Sequence, residues 1–205
     1  MDALDVVVRF GRGFGRDREH AFKVRDLALK IFDEARRLGL HGMGSRERFW
    51  LEAAALLHDV GVSVDEVRHH AASRDPILSS EELRRALGDV GLRAVAWIAF
   101  FHRKKPDPLE YEDPEWRRFL ESEHGDAVVK LAVILRVADA LDRSLLQVVD
   151  DVKLERRVVV PFRVYSEGDA LVEVMRAQEK AELFEKVFDV WVKVERVERD
   201  CFSPN

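Results

Sequence analysis

One stretch constrains the fold more than any other: Gly125 to Asp142, reading GDAVVKLAVILRVADALD. Its apolar residues cover nearly every side of a helix, so no single face is left for water. The segment predicts a central helix wrapped by others. Lys130, Arg136 and Asp139 interrupt it, which argues against a membrane span. Asp139 is the costly one. A carboxylate in such a place is strongly unfavourable, or takes up a proton, unless a cation, a strong set of hydrogen bonds or a metal compensates it.

The wrapping helices are legible from their periodicity. Between about Arg18 and Leu38, apolar residues recur at three- and four-residue steps, and His20 sits at the start of that buried stripe. Ser45 suits the N-cap of the next helix, whose text LEAAALLHDVGVS runs to His58-Asp59 and is ended by Gly61. Residues 65–73 predict a short helix carrying His69 and His70, broken at Pro76. Ser79 with Glu82 forms a capping box for a helix to about Leu87. A second apolar run, Gly91 to Phe101, ends in His102-Arg103-Lys104-Lys105, cations that suit the negative end of a helix. Pro106 to Pro114 reads as a loop. Met1 to Phe14 reads as a solvated lead-in. Its GRGFGR segment lacks the Lys-Ser/Thr of a phosphate loop, although Arg12 and Arg16 could meet an anion.

After Ser144 the texture changes. VKLERRVVVPFRVY and ALVEVMR predict two strands joined by a hairpin at Ser166 to Asp169, with Pro161 placing the first at an edge or bulge. Gln178 to Asp189 predicts an amphipathic helix, and VWVKVERV a last strand. The expectation is a mainly α protein: a helical core over residues 1–147 and a small α+β subdomain over residues 148–205.

Composition narrows the function. With 36% charged residues and a net charge of −5, the chain does not suit general nucleic-acid binding. The single Cys201 cannot form an internal disulfide, and no signal-peptide pattern opens the sequence, so a cytoplasmic location is expected. Asn205 is the only asparagine, and Gln147 and Gln178 are the only glutamines. Depleted amides beside abundant charge fit selection for heat, or a GC-rich genome.

The chemistry-bearing residues are His20, His58, Asp59, His69, His70, His102 and Asp139, each near a helix end or on a buried face. Singly, His20 reads as a satisfied core histidine, His58-Asp59 as a capped helix end, and His102 with its following cations as a charge-complementing helix end. Together, imidazole and carboxylate without thiolate suit a divalent ion such as Mn²⁺, Fe²⁺, Co²⁺, Ni²⁺ or Zn²⁺.

The order H…HD…H…H…D, with the doublet ending an apolar helix and the last Asp inside ILRVADALDRS, resembles the HD superfamily of metal-dependent phosphohydrolases. FHRK, the HH..S segment and the tail ALVEVMRAQEKAELFEKVF…VWVKVE are similar to the C-terminal HD region of the exopolyphosphatase / guanosine pentaphosphate phosphohydrolase family. The likeness runs over roughly residues 17 to 197. It implies an HD-domain helical core in which His20, His58, Asp59 and Asp139 hold one metal. His69 or His70 with His102 would complete a second site, bridged by Asp59, so one or two ions (Mn, Fe, Co, Ni, Zn or Mg) are expected. Asp59, Arg103, Lys104 and Arg143 would form the catalytic surround, the cations facing phosphate. Ala72 stands where the family usually has another histidine, and the family's actin-like N-terminal domain has no counterpart in these residues.

The expected activity is hydrolysis of a small phosphorylated compound, a nucleotide or alarmone-like nucleotide, by a metal-activated hydroxide. The alternative is a non-catalytic nucleotide- or polyphosphate-binding regulatory module that keeps the fold. A homodimer through the edge near Pro161 is a further expectation; no nucleic-acid or membrane partner is expected.

Overall fold

The computed structural model describes residues 2–13, 18–61, 69–103, 106–157 and 159–198. Among these are eight helices followed, in the last third, by a small sheet: α1 (Ala3–Arg12), α2 (Arg18–Arg37), α3 (Ser45–Leu57), α4 (His69–Ser79), α5 (Glu81–Phe100), α6 (Pro114–Leu120), α7 (Gly125–Ala140), β1 (Val149–Leu154), β2 (Val159–Ser166), α8 (Leu171–Phe188) and β3 (Trp191–Glu198). The protein is mainly α with a small α+β unit, as expected.

The all-round apolar segment does form the central helix. α7 packs against α2, α3, α5, α6 and α8, and Leu131 through Leu135 are fully buried along it. Its first residue must be glycine, because a Cβ at Gly125 would lie 2.0 Å from the Leu120 carbonyl oxygen. Within α5 the backbone breaks at Gly88, whose φ of 71° only glycine adopts without strain. This matches the two separate helical runs expected there.

Four expectations are corrected. The N-terminal segment is not a solvated lead-in but α1, with Val6 and Val7 buried against the core. At Gly11 a Cβ would already touch Leu56 O and Leu57 Cδ2 at 3.4 Å, so glycine there permits close helix packing. Phe14 and Arg16 lie outside the described residues. The cap of α3 is Gly44, whose N–H donates to Glu47 Oε2 at 2.8 Å, and Ser45 is the first helical residue. α4 continues through Pro76 to Ser79, and Ser80 rather than Ser79 caps α5, its Oγ accepting from Leu83 N. Burial of Ile77 offsets the one hydrogen bond that Pro76 cannot make.

The fourth correction concerns the sheet. Its order is β1-β2-β3, with β1 antiparallel to β2 and β2 parallel to β3. The segment expected to be one long strand is two, and ALVEVMR is the start of α8, which crosses over between the parallel strands. Valines there suggested a strand, but Ala170, Ala177, Ala181, Phe184 and Phe188 are buried at helical spacing. Pro161 therefore sits in the middle strand. Its carbonyl accepts from Glu155 N, beyond the last β1–β2 pair Leu154↔Phe162, so its missing N–H also falls where that ladder has ended.

Candidate metal centre

The histidines at positions 58 and 102 owe their orientation to one local device. Each follows the end of an apolar helix, where carbonyls lack helical partners, and each donates its Nδ1–H to the carbonyl three residues back. His58 bonds Ala55 O at 2.8 Å and His102 bonds Ala99 O at 2.6 Å. The sequence carries the pattern twice, as ALLH and AFFH. With Nδ1 committed, Nε2 keeps its lone pair and points away from the helix end.

His20 reaches the same place from the first turn of α2. Its Nδ1–H donates to Asp142 Oδ2 at 2.8 Å, and the other oxygen of this fully buried carboxylate accepts Gln147 N at 2.8 Å. All three Nε2 atoms thus face Asp59, and those of His20 and His58 also face Asp139. His20 Nε2 lies 3.8 Å from Asp59 Oδ2 and 3.6 Å from Asp139 Oδ1. His58 Nε2 lies 3.6 Å and 3.8 Å from the same two oxygens. His102 Nε2 lies 3.7 Å from Asp59 Oδ1.

These separations exceed hydrogen bonds. They fall within the span of two ligand atoms each about 2.0–2.2 Å from one ion, at most about 4.4 Å apart. His58 Nε2 is buried with no hydrogen-bond partner among the described residues, a cost that native structures avoid unless something else occupies the lone pair. Donor atoms of His20, His58 and Asp59 all lie within 4.8 Å of one another, a group that could hold a metal ion. The donor set fits a divalent ion.

Residues 5–156 match one family, described as Ppx/GppA phosphatase, domain III. The chain belongs to that family. No curated protein matches it. The Ppx/GppA match takes in α1 to α7 and β1, every element that carries His20, His58, Asp59, His102, Asp139 and Asp142, and it stops short of α8. It begins earlier than the likeness read from the sequence, inside α1.

The remaining expected residues are less gathered. His69 and His70 open α4, but their side chains lie outside the described residues, as does Lys104. Arg103 is half-buried just after His102, and Arg143 is exposed after Asp142. Ser73, the serine of the HH..S segment, is buried and secures the doublet: its Oγ donates to His58 O at 2.8 Å and accepts Gly61 N at 2.9 Å. Arg136, also buried, donates to Phe101 O and Pro106 O, at 2.6 Å each, and so clasps both ends of the segment bearing Arg103.

Two roles needed the structure. Asp142, which the sequence leaves open between orienting Arg143 or a ligand histidine and capping the helix end, is the orienting partner of His20. Lys180, on α8, was not singled out in the sequence, yet its Nζ lies 2.7 Å from Asp139 Oδ2. A cavity of about 220 Å³ opens beside it, lined in part by Arg136 and Leu183.

Electrostatics follow from these contacts. Burial alone would lower the His20 pKa, but the adjacent Asp139 carboxylate, the hydrogen bond to Asp142 and the charge of Asp59 raise it to about 10. Burial, aided by His58, pushes His102 down to about 3. Burial would raise Asp139, but Lys180 and the histidines hold it well below the usual carboxylate range. Without a metal, the centre is balanced by a protonated His20 and by Lys180. No helix among the described residues is long and apolar enough to cross a membrane.

Proposed function

We propose that this chain is a metal-dependent phosphohydrolase of the HD type, cleaving a phosphate ester or anhydride of a small molecule, with nucleotides and alarmone-like nucleotides the leading class. The observation that carries this reading is the convergence of three imidazole Nε2 atoms on Asp59, two of them also on Asp139, with His58 Nε2 buried and unpartnered among the described residues. Membership of a phosphatase family agrees with it. His20, His58, Asp59 and Asp139 would hold one ion, and His102, with His69 or His70, a second. A divalent ion in such a site lowers the pKa of water and polarises a phosphoryl oxygen.

The protein groups divide the remaining work. Ala55, Ala99 and Asp142 fix the three imidazoles by Nδ1, so that Nε2 faces inward without rearrangement. The Asp59 side chain, 33% exposed, marks the open side, where substrate would enter. Arg103, Lys104 and Arg143 would neutralise the non-bridging phosphate oxygens as a water oxygen bonds to phosphorus, the ester or anhydride P–O bond breaks and the leaving oxygen takes a proton.

The test is metal content of protein purified without chelator, beside His58→Ala and Asp139→Ala. Near-stoichiometric transition metal, lost in both variants while circular dichroism is unchanged, supports the reading and leads to a phosphate-ester screen with Mn²⁺. A second reading, a non-catalytic binding module, draws on Lys180 and a protonated His20, which already balance the buried carboxylates without an ion. It leads if the wild type carries no metal and binds none on titration.

A further inference from the structure

The element that closes the centre over Asp139 is not one of the helices that carry the histidines. It is α8, in the C-terminal α+β unit and beyond residues 5–156 of the family match. α7 and α8 pack along each other, and their contact places Lys180 Nζ 2.7 Å from Asp139 Oδ2, with both side chains largely buried at 17% and 14% exposure. The other carboxylate oxygen, Oδ1, is the one that faces His20 Nε2 and His58 Nε2. The two oxygens of one carboxylate are thus divided between a lysine on one side and the imidazoles on the other.

We propose that Lys180 is a positioning residue of the metal centre: by holding Oδ2 it fixes the Asp139 carboxylate so that Oδ1 alone is presented to an ion bound with His20 and His58. The C-terminal unit then completes the site instead of merely following it. This rests on the metal-centre reading above. A hydrogen-bond donor on the distal oxygen of a ligating carboxylate sets its rotation, and loss of such partners typically costs about 10–100-fold in metal affinity. A free Asp139 carboxylate could instead rotate toward two-oxygen contact or away from the cluster. Lys186, six residues along the same helix and half exposed, lies instead 4.0 Å from Glu110 Oε1 and serves as a charge-matched control.

The experiment is calorimetric titration of the full chain with Mn²⁺ and, separately, Ni²⁺. The set comprises wild type, Lys180→Met, Lys180→Arg and Lys186→Met, each checked by circular dichroism. The expected result is an affinity at least tenfold weaker in Lys180→Met, largely restored in Lys180→Arg and unchanged in Lys186→Met. A purely structural ion pair would lower thermal stability without that split. Wild-type affinity in Lys180→Met, or tighter binding because a competing cation has gone, overturns the inference while leaving the metal centre standing. Absence of binding by the wild type removes the centre and this inference with it. If Lys180→Met does not fold, Lys180→Gln is read by the same criteria.

Discussion

Asp142→Asn replaces a buried carboxylate, whose two oxygens each accept one hydrogen bond, with a group that has one acceptor and one donor. If the amide oxygen turns to Gln147 N, its NH₂ faces His20 Nδ1. The imidazole must then accept there and carry its proton on Nε2, pointing a donor where a lone pair is needed. If the oxygen turns to His20, two donors meet at Gln147 N. Either way the charge-assisted bond between His20 and the Asp142 carboxylate is lost, a cost of about 1.5–3 kcal/mol. For a chain of this size that lowers Tm by about 3–12 °C. Metal affinity should fall about 10–100-fold, as for other groups that orient a ligating histidine. Differential scanning fluorimetry with and without Mn²⁺, together with calorimetric titration, reads both. Wild-type Tm and wild-type Mn²⁺ affinity in Asp142→Asn would refute the reasoning, since the His20 tautomer would then not depend on Asp142.

Three further outcomes are expected. In EDTA, His20 has a folded pKa of about 10 against about 6.5 unfolded. Its contribution is therefore fully present below pH ~6.5 and is lost as pH rises through ~10. On the acid side, His102, held down to about 3, and the depressed Asp139 both make stability fall with falling pH, because the unfolded chain takes up protons that the folded one refuses. A Tm that stays flat from pH 7 to 10.5 in the metal-free protein would contradict the His20 assignment. Ser73→Ala leaves Gly61 N–H and His58 C=O without their shared partner and should cost about 1–3 kcal/mol in urea unfolding; no change would mean that the turn after α3 is held by other groups. Gly125→Ala drives a Cβ into Leu120 backbone at 2.0 Å and should destabilise by about 3 kcal/mol or more, measured by the same urea titration, with a smaller loss indicating that the α6–α7 turn can shift.

Much was legible in the sequence because burial writes a period into it. The all-round apolar text of α7 declared a central helix, the three- and four-residue steps of α2 declared one face, and ALLH and AFFH placed two imidazoles at helix ends. The imidazole and carboxylate types at those ends sufficed to suggest a divalent ion. What period alone could not decide was which distant groups meet. Residues 171–177 carry valines that suit either a strand or a helix, and only the burial of Ala177, Ala181 and Phe184 against the sheet and α7 selects the helix. Val6 and Val7 in α1 needed the surface of α3 and α5 beneath them before a short Gly-containing segment was worth ordering. Lys180 reads in sequence as one more charge on an amphipathic helix. Its meeting with Asp139, like that of His20 with Asp142 across more than a hundred residues, is set by how helices pack, and packing depends on the shapes of whole surfaces rather than on the residues next along the chain.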